Sequence, residues 1–450
     1  MLVYFAAGGA ALACVAAASH TAPPAGLSRR LWQNLLWGLA FLVLFLVSAL
    51  RFDVGTDYSS TEFYLGYVEI FRVYADGGTL RFGIDPSYQG VIWLLSRLGG
   101  NVQWFFALTS ALVVGLALRA CRRLSCSPTL SVTLFLVAGL YLESFNIVRQ
   151  WVAIACVLNA FGWVGWSEGD GEAHPQAGGR SLARYALWVC AGALAHSSAL
   201  FWLLLWPLFS VPLNGRRAVA LVVALVALAF FGWQVLAVVL EGTRYGRYFH
   251  DPTGLYSTPH LRPNAIVTSA VTLALTMWAY RGRGSREGDG RAREGACENR
   301  DIRACAAGGS HGSRSRARLL GGPGYGRWAS ALTMCQVLLL ALLVSEAFLP
   351  YIVDRVARFI TPLLVLQVPY ALHEVRARGL AVGPLAGERL YRALAAAVCA
   401  SWLATSMLQF VGGKDDVLPY RSILATPSDE VARMFDTPPE IPEADRPLAE

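Results

Sequence analysis

Residues 51–58 hold two carboxylates four residues apart, in a segment whose polar side chains could form a functional site. They read Arg-Phe-Asp-Val-Gly-Thr-Asp-Tyr. Gly55 permits a tight turn, which can aim Asp53 and Asp57 in one direction. A carboxylate beside an apolar face needs a reason to be there, which favours a functional role for Asp57. For Tyr58, stacking on a sugar and membership of an interfacial aromatic belt are equally good interpretations.

Arg149 lies in Asn146-Ile-Val-Arg-Gln150, at a predicted tight turn between two apolar segments. An arginine cannot lose its proton in a protein, so its guanidinium must pair with an anion or reach water. Reaching water from a helix end is the simpler interpretation. Asn146 and Gln150 add hydrogen-bonding groups, however, and a guanidinium fork matches a phosphate. We therefore predict that this turn binds a phosphate.

His196 interrupts a long apolar stretch and is followed by two serines. A lone histidine is more often structural than catalytic. An imidazole at a predicted turn could also donate a hydrogen bond to a phosphate or move a proton. Both interpretations stay open at this position.

Two further segments are basic. One reads Arg244-Tyr-Gly-Arg247, and the other reads Asp354-Arg355-Val-Ala-Arg358. Arg355 and Arg358 are three residues apart, so they share one face of a helix. Both segments could bind an anion. An ion pair between Asp354 and Arg358 is the alternative for the second.

Membrane-spanning helices must position these residues. The 450-residue chain is 55% hydrophobic and only 15% charged, whereas soluble domains are about 25% charged. About 20 apolar residues cross a bilayer. We predict an all-α polytopic bundle of about 12 transmembrane helices on this basis. The candidate spans are 2–18, 31–50, 102–118, 128–144, 150–166, 182–196, 197–212, 217–240, 264–281, 328–348, 356–373 and 390–410.

Arginine clusters give the predicted orientation. They follow the first and third spans, precede the sixth, and fill the loops 282–327 and 374–392. The positive-inside rule places them on the cytoplasmic face. The candidate site residues then lie on the outer face, where we expect a polar, arginine-lined cavity. Residues 86–100 are apolar but short, which predicts a re-entrant or interfacial helix.

The predicted organisation has four parts. Transmembrane helices fill residues 1–281, including the outer segment 51–101. The Arg/Gly/Ser-rich cytoplasmic loop 282–327 is expected to be disordered. Further transmembrane helices follow in 328–410, and 411–450 form an outer tail.

Several functional classes find no support in the sequence. It has no zinc-type Cys/His array, no Walker loop and no dinucleotide fingerprint, so neither a metal nor another cofactor is expected. The net charge of +8 is explained by Arg-rich cytoplasmic loops rather than by a nucleic-acid partner. No cysteine lies in a predicted outer loop, so no disulfide is expected there.

Four elements, in this order, resemble the EpsG family of exopolysaccharide polymerases, which are Wzy-like membrane glycosyltransferases of bacteria. They are Arg-x-Asp-x-Gly-Thr-Asp-Tyr at 51–58, Asn-x-x-Arg-Gln at 146–150, His-Ser-Ser-Ala at 196–199 and Asp-Arg-x-x-Arg-Phe at 354–359. The resemblance runs from about residue 30 to 425, including Pro419-Tyr-Arg-Ser422 near the end. It departs from the family at Asp85-Pro-Ser-Tyr88, where the family often has a glutamate.

The resemblance implies polymerisation of oligosaccharide repeat units carried on undecaprenyl pyrophosphate, at the outer face of the bacterial inner membrane. A chain-length regulator and a flippase are implied partners. Asp57 would act on the acceptor hydroxyl, with Asp53, Glu62, Asp85 and Glu143 as alternatives. Arg149, Arg355 and Arg358, with help from His196, would stabilise the leaving pyrophosphate. Besides the catalytic candidates Asp57, His196 and Arg149, the candidate binding residues are Arg51, Asp53, Tyr58, Asn146, Gln150, Arg244, Arg247, Arg355 and Arg358.

Three other functions stay open. An O-antigen ligase, or another transferase that uses a lipid-linked sugar, would share the arginines and the outer cavity. A lipid-linked sugar flippase or other transporter would suit the number of spans, although no internal repeat is visible. A non-catalytic scaffold of an assembly complex is the third.

Overall fold

The computed structural model describes residues 1–59, 66–78, 85–164, 175–209, 263–280, 324–346, 352–413 and 416–436, and the isolated positions 220, 223, 224 and 238. These residues are mostly helical, as predicted. Among them, the only paired strands are β1 (Ala381–Val382) and β2 (Leu385–Ala386), which form a small antiparallel hairpin.

Sixteen α-helices follow one another along the described residues. They are α1 (Leu2–His20), α2 (Arg29–Ala49), α3 (Tyr67–Ala75), α4 (Pro86–Arg97), α5 (Val102–Leu124), α6 (Pro128–Val137), α7 (Leu140–Glu143), α8 (Val148–Ala160), α9 (Pro175–Ala195), α10 (Phe201–Phe209), α11 (Pro263–Tyr280), α12 (Gly324–Ser345), α13 (Ile352–Ile360), α14 (Leu364–Ala377), α15 (Gly387–Val411) and α16 (Ser428–Asp436). Short 3-10 turns occupy Phe161–Trp163, Ser197–Leu200 and Thr361–Leu363.

Six segments in the described part of the chain are long and apolar enough to cross a membrane, so the chain is a multi-pass helical membrane protein. They are Leu2–His20, Arg29–Ala49, Val102–Leu124, Trp328–Ser345, Val353–Ala377 and Gly387–Val411. Pro128–Val137, Ser181–Ala195 and Ser197–Phe209 are apolar but shorter. The expected total of about 12 spans stays a prediction, because span 217–240 falls almost wholly outside the described residues.

Two predicted spans are divided in the structure. The predicted span 128–144 breaks after α6, because Gly139 adopts a left-handed φ of 74° that ends a helix readily. The span predicted from residue 356 begins earlier, and a 3-10 turn separates α13 from α14. Residues 86–100 contain α4, whose 12 residues are too few to cross a bilayer.

Contacts between helices define two ends of the bundle. At one end the Tyr141 hydroxyl donates to Leu44 O near the C-terminus of α2, at 2.7 Å. At the other end the Tyr370 hydroxyl donates to Leu124 O at the C-terminus of α5, at 2.8 Å. The arginines of segments 119–123 and 376–378 lie at this second end. The turn 51–59 and the start of α8 lie at the first.

Helix α8 is the central element of the first end. Twelve of its side chains are buried, from Val148 to Ala160, with Arg149 as the exception. A helix that is apolar nearly all round lies inside a protein rather than at its surface. α8 packs against α5 and α9. This burial fixes the N-terminal turn of α8, and with it the residues of segment 146–150.

Candidate functional site

The turn 51–59 packs directly on the start of α8. The Thr56 hydroxyl donates to Asn146 Oδ1 at 2.8 Å. A Cβ at Gly55 would lie 3.0 Å from Asn146 Oδ1 and 3.0 Å from Phe145 O. Gly55 also has a φ of 95°, a conformation that L-residues rarely adopt. The close approach of the two segments therefore requires glycine at this position.

Asp57 lies against the N-terminus of α8. Its Oδ2 accepts a hydrogen bond from the backbone N–H of Val148 at 3.1 Å. Burial raises the pKa of the Asp57 carboxyl, and the bond from Val148 and the nearby charges of Arg355 and Arg149 partly offset that effect. The arrangement can hold a carboxylate among cations, or a proton that is released more reluctantly than usual.

Arg149 pairs with a carboxylate from another element. Its Nη1 lies 3.1 Å from Oδ2 of Asp85, the residue that precedes α4, and its side chain is 28% exposed. The backbone just before it is strained, since Ile147 has a φ of 43°. A β-branched residue in this left-handed region is an outlier, and such strain is found mainly at functional sites.

Helix α13 brings a second arginine to the same end. Arg358 Nε lies 2.6 Å from Asp354 Oδ2, and Arg358 Nη1 lies 3.0 Å from Glu143 Oε1. The bond to Asp354 is the alternative interpretation considered from the sequence. Gln150 Nε2 donates to the backbone oxygen of Arg355 at 2.7 Å, which ties α8 to α13.

His196 follows α9 and touches α13. Its Nδ1 lies 2.7 Å from the Ser198 hydroxyl oxygen. Its ring meets the ring of Phe359 edge-on, with 6.3 Å between centroids. His196 is therefore next to the helix that carries Arg355 and Arg358.

The structure buries Arg51 and Tyr58 in an aromatic core instead of at the site. Arg51 is 1% exposed, and its guanidinium lies 4.5 Å and 4.8 Å from the ring centroids of Phe106 and Phe145. Burial lowers the pKa of Arg51 to about 10, so the group stays charged at neutral pH. The Tyr58 ring stacks on Phe106 at 4.7 Å. Both side chains therefore belong to the aromatic core in this structure.

Asp53 lies at the edge of the cluster. Its Oδ1 accepts a hydrogen bond from the Ser59 hydroxyl at 2.8 Å. Its Oδ2 is 3.5 Å from Arg421 Nη1. Glu62, Arg244 and Arg247 lie outside the described residues.

The three arginines of the cluster have four carboxylates around them. Arg149, Arg355 and Arg358 are surrounded by Asp57, Asp85, Glu143 and Asp354. The sequence predicted an arginine-lined site but not this counter-charge, because Asp85 and Glu143 belong to elements far from Arg149 and Arg358 along the chain. Only the α13 pair was visible as a helical spacing. In the part of the chain that the structure describes, no group of three or more His, Cys, Asp or Glu residues could hold a metal ion.

Comparison with known protein families identifies a relationship over much of the chain. The model of the EpsG family matches residues 34–287, more than half of the chain. No curated protein and no solved structure matches the chain. The match includes the turn 51–59, the start of α8 and His196. It ends before α13.

Proposed function

The chain belongs to the EpsG family, and on that premise we propose that it joins oligosaccharide repeat units carried on undecaprenyl pyrophosphate. Family membership indicates a glycosyltransferase-like polymerase of exopolysaccharide. The proposal adds three features to family membership: a lipid pyrophosphate donor, a site on the outer face and a place in the bacterial inner membrane. The growing glycan leaves its lipid pyrophosphate and joins a sugar hydroxyl of the next lipid-linked unit.

One observation supports this reaction above the others. Asp57 and Arg149 meet at the first turn of α8, where Asp57 accepts from Val148 N at 3.1 Å and Arg149 is the neighbouring residue. Asp57 can take the proton of an acceptor hydroxyl, and Arg149 beside it can stabilise the negative charge that develops on a leaving pyrophosphate.

Asp57, Arg149 and Arg355 can together accept the proton and stabilise the charge that the reaction produces. The acceptor hydroxyl oxygen attacks the anomeric carbon of the donor sugar, and the bond from that carbon to the pyrophosphate oxygen breaks. The hydroxyl proton passes to the Asp57 carboxylate. The charge left on the pyrophosphate is stabilised by Arg149 and Arg355 and by the positive end of the α8 dipole.

The separation of charges along the bundle supports the proposed outer face. The arginines of segments 119–123 and 376–378 lie at one end, and the Asp57–Arg149 cluster lies at the other. The positive-inside rule assigns the arginine-rich end to the cytoplasm. The cluster then faces the side on which lipid-linked repeat units are polymerised.

A ligase that transfers finished glycan from the same lipid would use similar groups, and product length separates the two functions. A host bacterium lacking this gene should be complemented with the wild type, Arg149→Ala or Arg149→Lys, and its lipid-linked glycans analysed. We expect single repeat units to accumulate with Arg149→Ala, and partial polymer with Arg149→Lys because one charge remains. Full-length polymer with Arg149→Ala would overturn the role of Arg149, and long untransferred polymer on lipid would indicate a ligase.

A further inference from the structure

The residues after the last membrane-spanning helix fold back onto the turn that carries Asp57. We call residues 416–436 the C-terminal strap. Three backbone hydrogen bonds join it to the turn and to the residue just before the turn: Phe52 N to Arg421 O at 3.0 Å, Gly55 N to Asp416 O at 2.9 Å and Ile423 N to Leu50 O at 2.9 Å. The antiparallel bridge between Arg51 and Ser422 lies among them. The turn therefore uses the strap as its hydrogen-bonding partner, much as a strand uses its neighbour.

Tyrosines from α1 and from the strap itself fix the start of the strap. The Tyr4 hydroxyl donates to Val417 O at 2.8 Å. The Tyr420 hydroxyl donates to Val47 O at 3.1 Å. The rings of Tyr4 and Tyr420 also meet edge-on, with centroids 5.4 Å apart. These contacts tie the strap to the first two helices.

Arg72 of α3 holds the far end of the strap. Its Nη2 donates to Met434 O at 2.8 Å and to Phe435 O at 2.5 Å. These carbonyls lie in the last turn of α16, where helix carbonyls lack partners of their own and a cation is favourable. Phe435 also packs against Phe52, with 6.1 Å between ring centroids.

Side chains join the middle of the strap to the turn as well. Arg421 Nη1 lies 3.5 Å from Asp53 Oδ2, and the other terminal nitrogen of Arg421 contacts Glu430 within the strap. Asp53 has a φ of 51° and Gly55 a φ of 95°. Positive φ values at two nearby positions persist only where the surroundings hold the backbone in place. Here the hydrogen bonds and the ion pair from the strap keep much of this backbone in place.

We propose that the C-terminal strap is a positioning element of the active site, which keeps the turn 51–59 in the one conformation that sets Asp57 against the N-terminus of α8. The strap lies beyond the residues 34–287 that match the family, while the turn lies within them. The strap holds the turn whether or not a reaction takes place there. Only the catalytic role of Asp57 rests on the proposed function.

The labelling rate of an introduced cysteine reports how firmly the strap holds the turn 51–59, and it does not depend on activity. Ser59→Cys should be labelled with a maleimide in detergent-purified protein, and the rate read from the peptide that contains it. The strap is loosened by Arg72→Gln with Arg421→Gln. The matched control is Arg433→Gln, which removes an exposed ion pair with Asp429 on the same strap. We expect labelling to be roughly threefold faster or more in the double variant, because local opening becomes more frequent, and unchanged in the control. Equal rates in all three proteins would overturn the inference, whatever their activity.

The pH dependence of polymerisation links the strap to Asp57. The charged and titratable groups that face Asp57 are Arg51, Arg149, Arg355 and Tyr67. Loosening the strap admits water, which weakens the burial that raises the pKa of Asp57. The acid limb of the rate profile should therefore move to lower pH in the double variant.

Arg72→Lys with Arg421→Lys keeps both charges and should restore the wild-type profile. A general loss of folded protein would lower the rate at every pH without moving the limb. Faster labelling with an unmoved limb would overturn the link to Asp57. Polymerisation that survives Asp57→Asn would count against the proposed chemistry alone, because the labelling result stands without it.

Discussion

The guanidinium of Arg149 lies 3.1 Å from the carboxylate of Asp85, although 64 residues separate them. The Arg149 side chain is 28% exposed and the Asp85 side chain 10%, so the pair lies at the edge of the buried cluster. An anionic ligand must therefore share Arg149 with Asp85 or displace it. Asp85 sets how strongly this arginine attracts a pyrophosphate.

Asp85→Asn should tighten the binding of lipid-linked donor. The amide keeps the size of the side chain but removes the negative charge beside Arg149. We expect the KM for the donor to fall roughly threefold to tenfold, about 0.6–1.4 kcal/mol, measured with purified enzyme at low salt. Asp429→Asn breaks an exposed pair and is the control. An unchanged or higher KM in Asp85→Asn would show that Asp85 does not compete with the donor.

Asp57→Asn should abolish most polymerisation. A general base contributes roughly 10²- to 10⁴-fold to a rate, and an amide cannot take the acceptor's proton. Burial raises the pKa of Asp57, so in the wild type the rate should fall with acid at a pH above the usual carboxyl range. Asp429→Asn is the comparison, because it breaks an exposed ion pair away from the cluster. A wild-type rate in Asp57→Asn would transfer the base role to Asp85 or Glu143.

Asp57 also makes the stability of the fold depend on pH. Its contribution to stability falls as pH rises, whereas its contribution to the rate rises with pH. Because the folded protein binds the Asp57 proton more tightly than the unfolded chain does, the contribution of Asp57 to folding is present in acid and is lost as pH rises through its raised pKa. Thermal unfolding of wild type and Asp57→Asn in detergent should therefore differ most at neutral pH, where the variant avoids a buried charge. A difference in melting temperature that is the same at every pH would contradict this.

Local sequence signals were enough to predict the helical membrane fold and the position of Asp57, Arg149 and Arg355 at one end of it. Apolar runs mark helices wherever the solvent is a bilayer. An unpaired arginine or carboxylate between such runs must find a partner at a helix end. That constraint is strong enough to place charged residues at one end of the bundle without any knowledge of their contacts.

The partners themselves could not be predicted in this way. Arg51 and Arg149 both flank apolar segments, yet one is sandwiched between Phe106 and Phe145 while the other pairs with Asp85. The choice depends on which side chains tertiary packing brings close. The same holds for the C-terminal strap. Its sequence signals were a tail after the last span and the Pro419-Tyr-Arg-Ser422 element, and neither predicts its contacts with the turn 51–59.

Gly55→Ala should damage the site more than an alanine at another glycine of similar backbone conformation. Gly26 has a φ of 86° and open space where a Cβ would lie, whereas a Cβ at Gly55 would meet Asn146 and Phe145 at 3.0 Å. A left-handed alanine costs about 1 kcal/mol at either position. Only Gly55→Ala also pushes the turn away from α8. We expect a clear loss of polymer for Gly55→Ala and near-normal polymer for Gly26→Ala at equal protein levels.

Arg358 should prove necessary for folding as well as for any contact with substrate. It bonds Asp354 at 2.6 Å and Glu143 at 3.0 Å, and the exposed fractions of the three side chains are 10%, 9% and 13%. Removing one partner from a buried ion network leaves the others uncompensated, at a cost of about 3–5 kcal/mol. Arg358→Gln should therefore lower the melting temperature in detergent far more than Arg149→Gln does.

A double-mutant cycle separates this structural role from phosphate binding. Glu143→Gln removes the carboxylate that Arg358→Gln leaves without its cation, so the double variant should recover part of the lost stability. If Arg358 only held α13 in place, polymerisation would return with stability. If Arg358 also binds pyrophosphate, the double variant will fold but keep a raised KM for the donor. Additive losses of stability in the two single variants would show that the Arg358–Glu143 contact at 3.0 Å does not stabilise the fold.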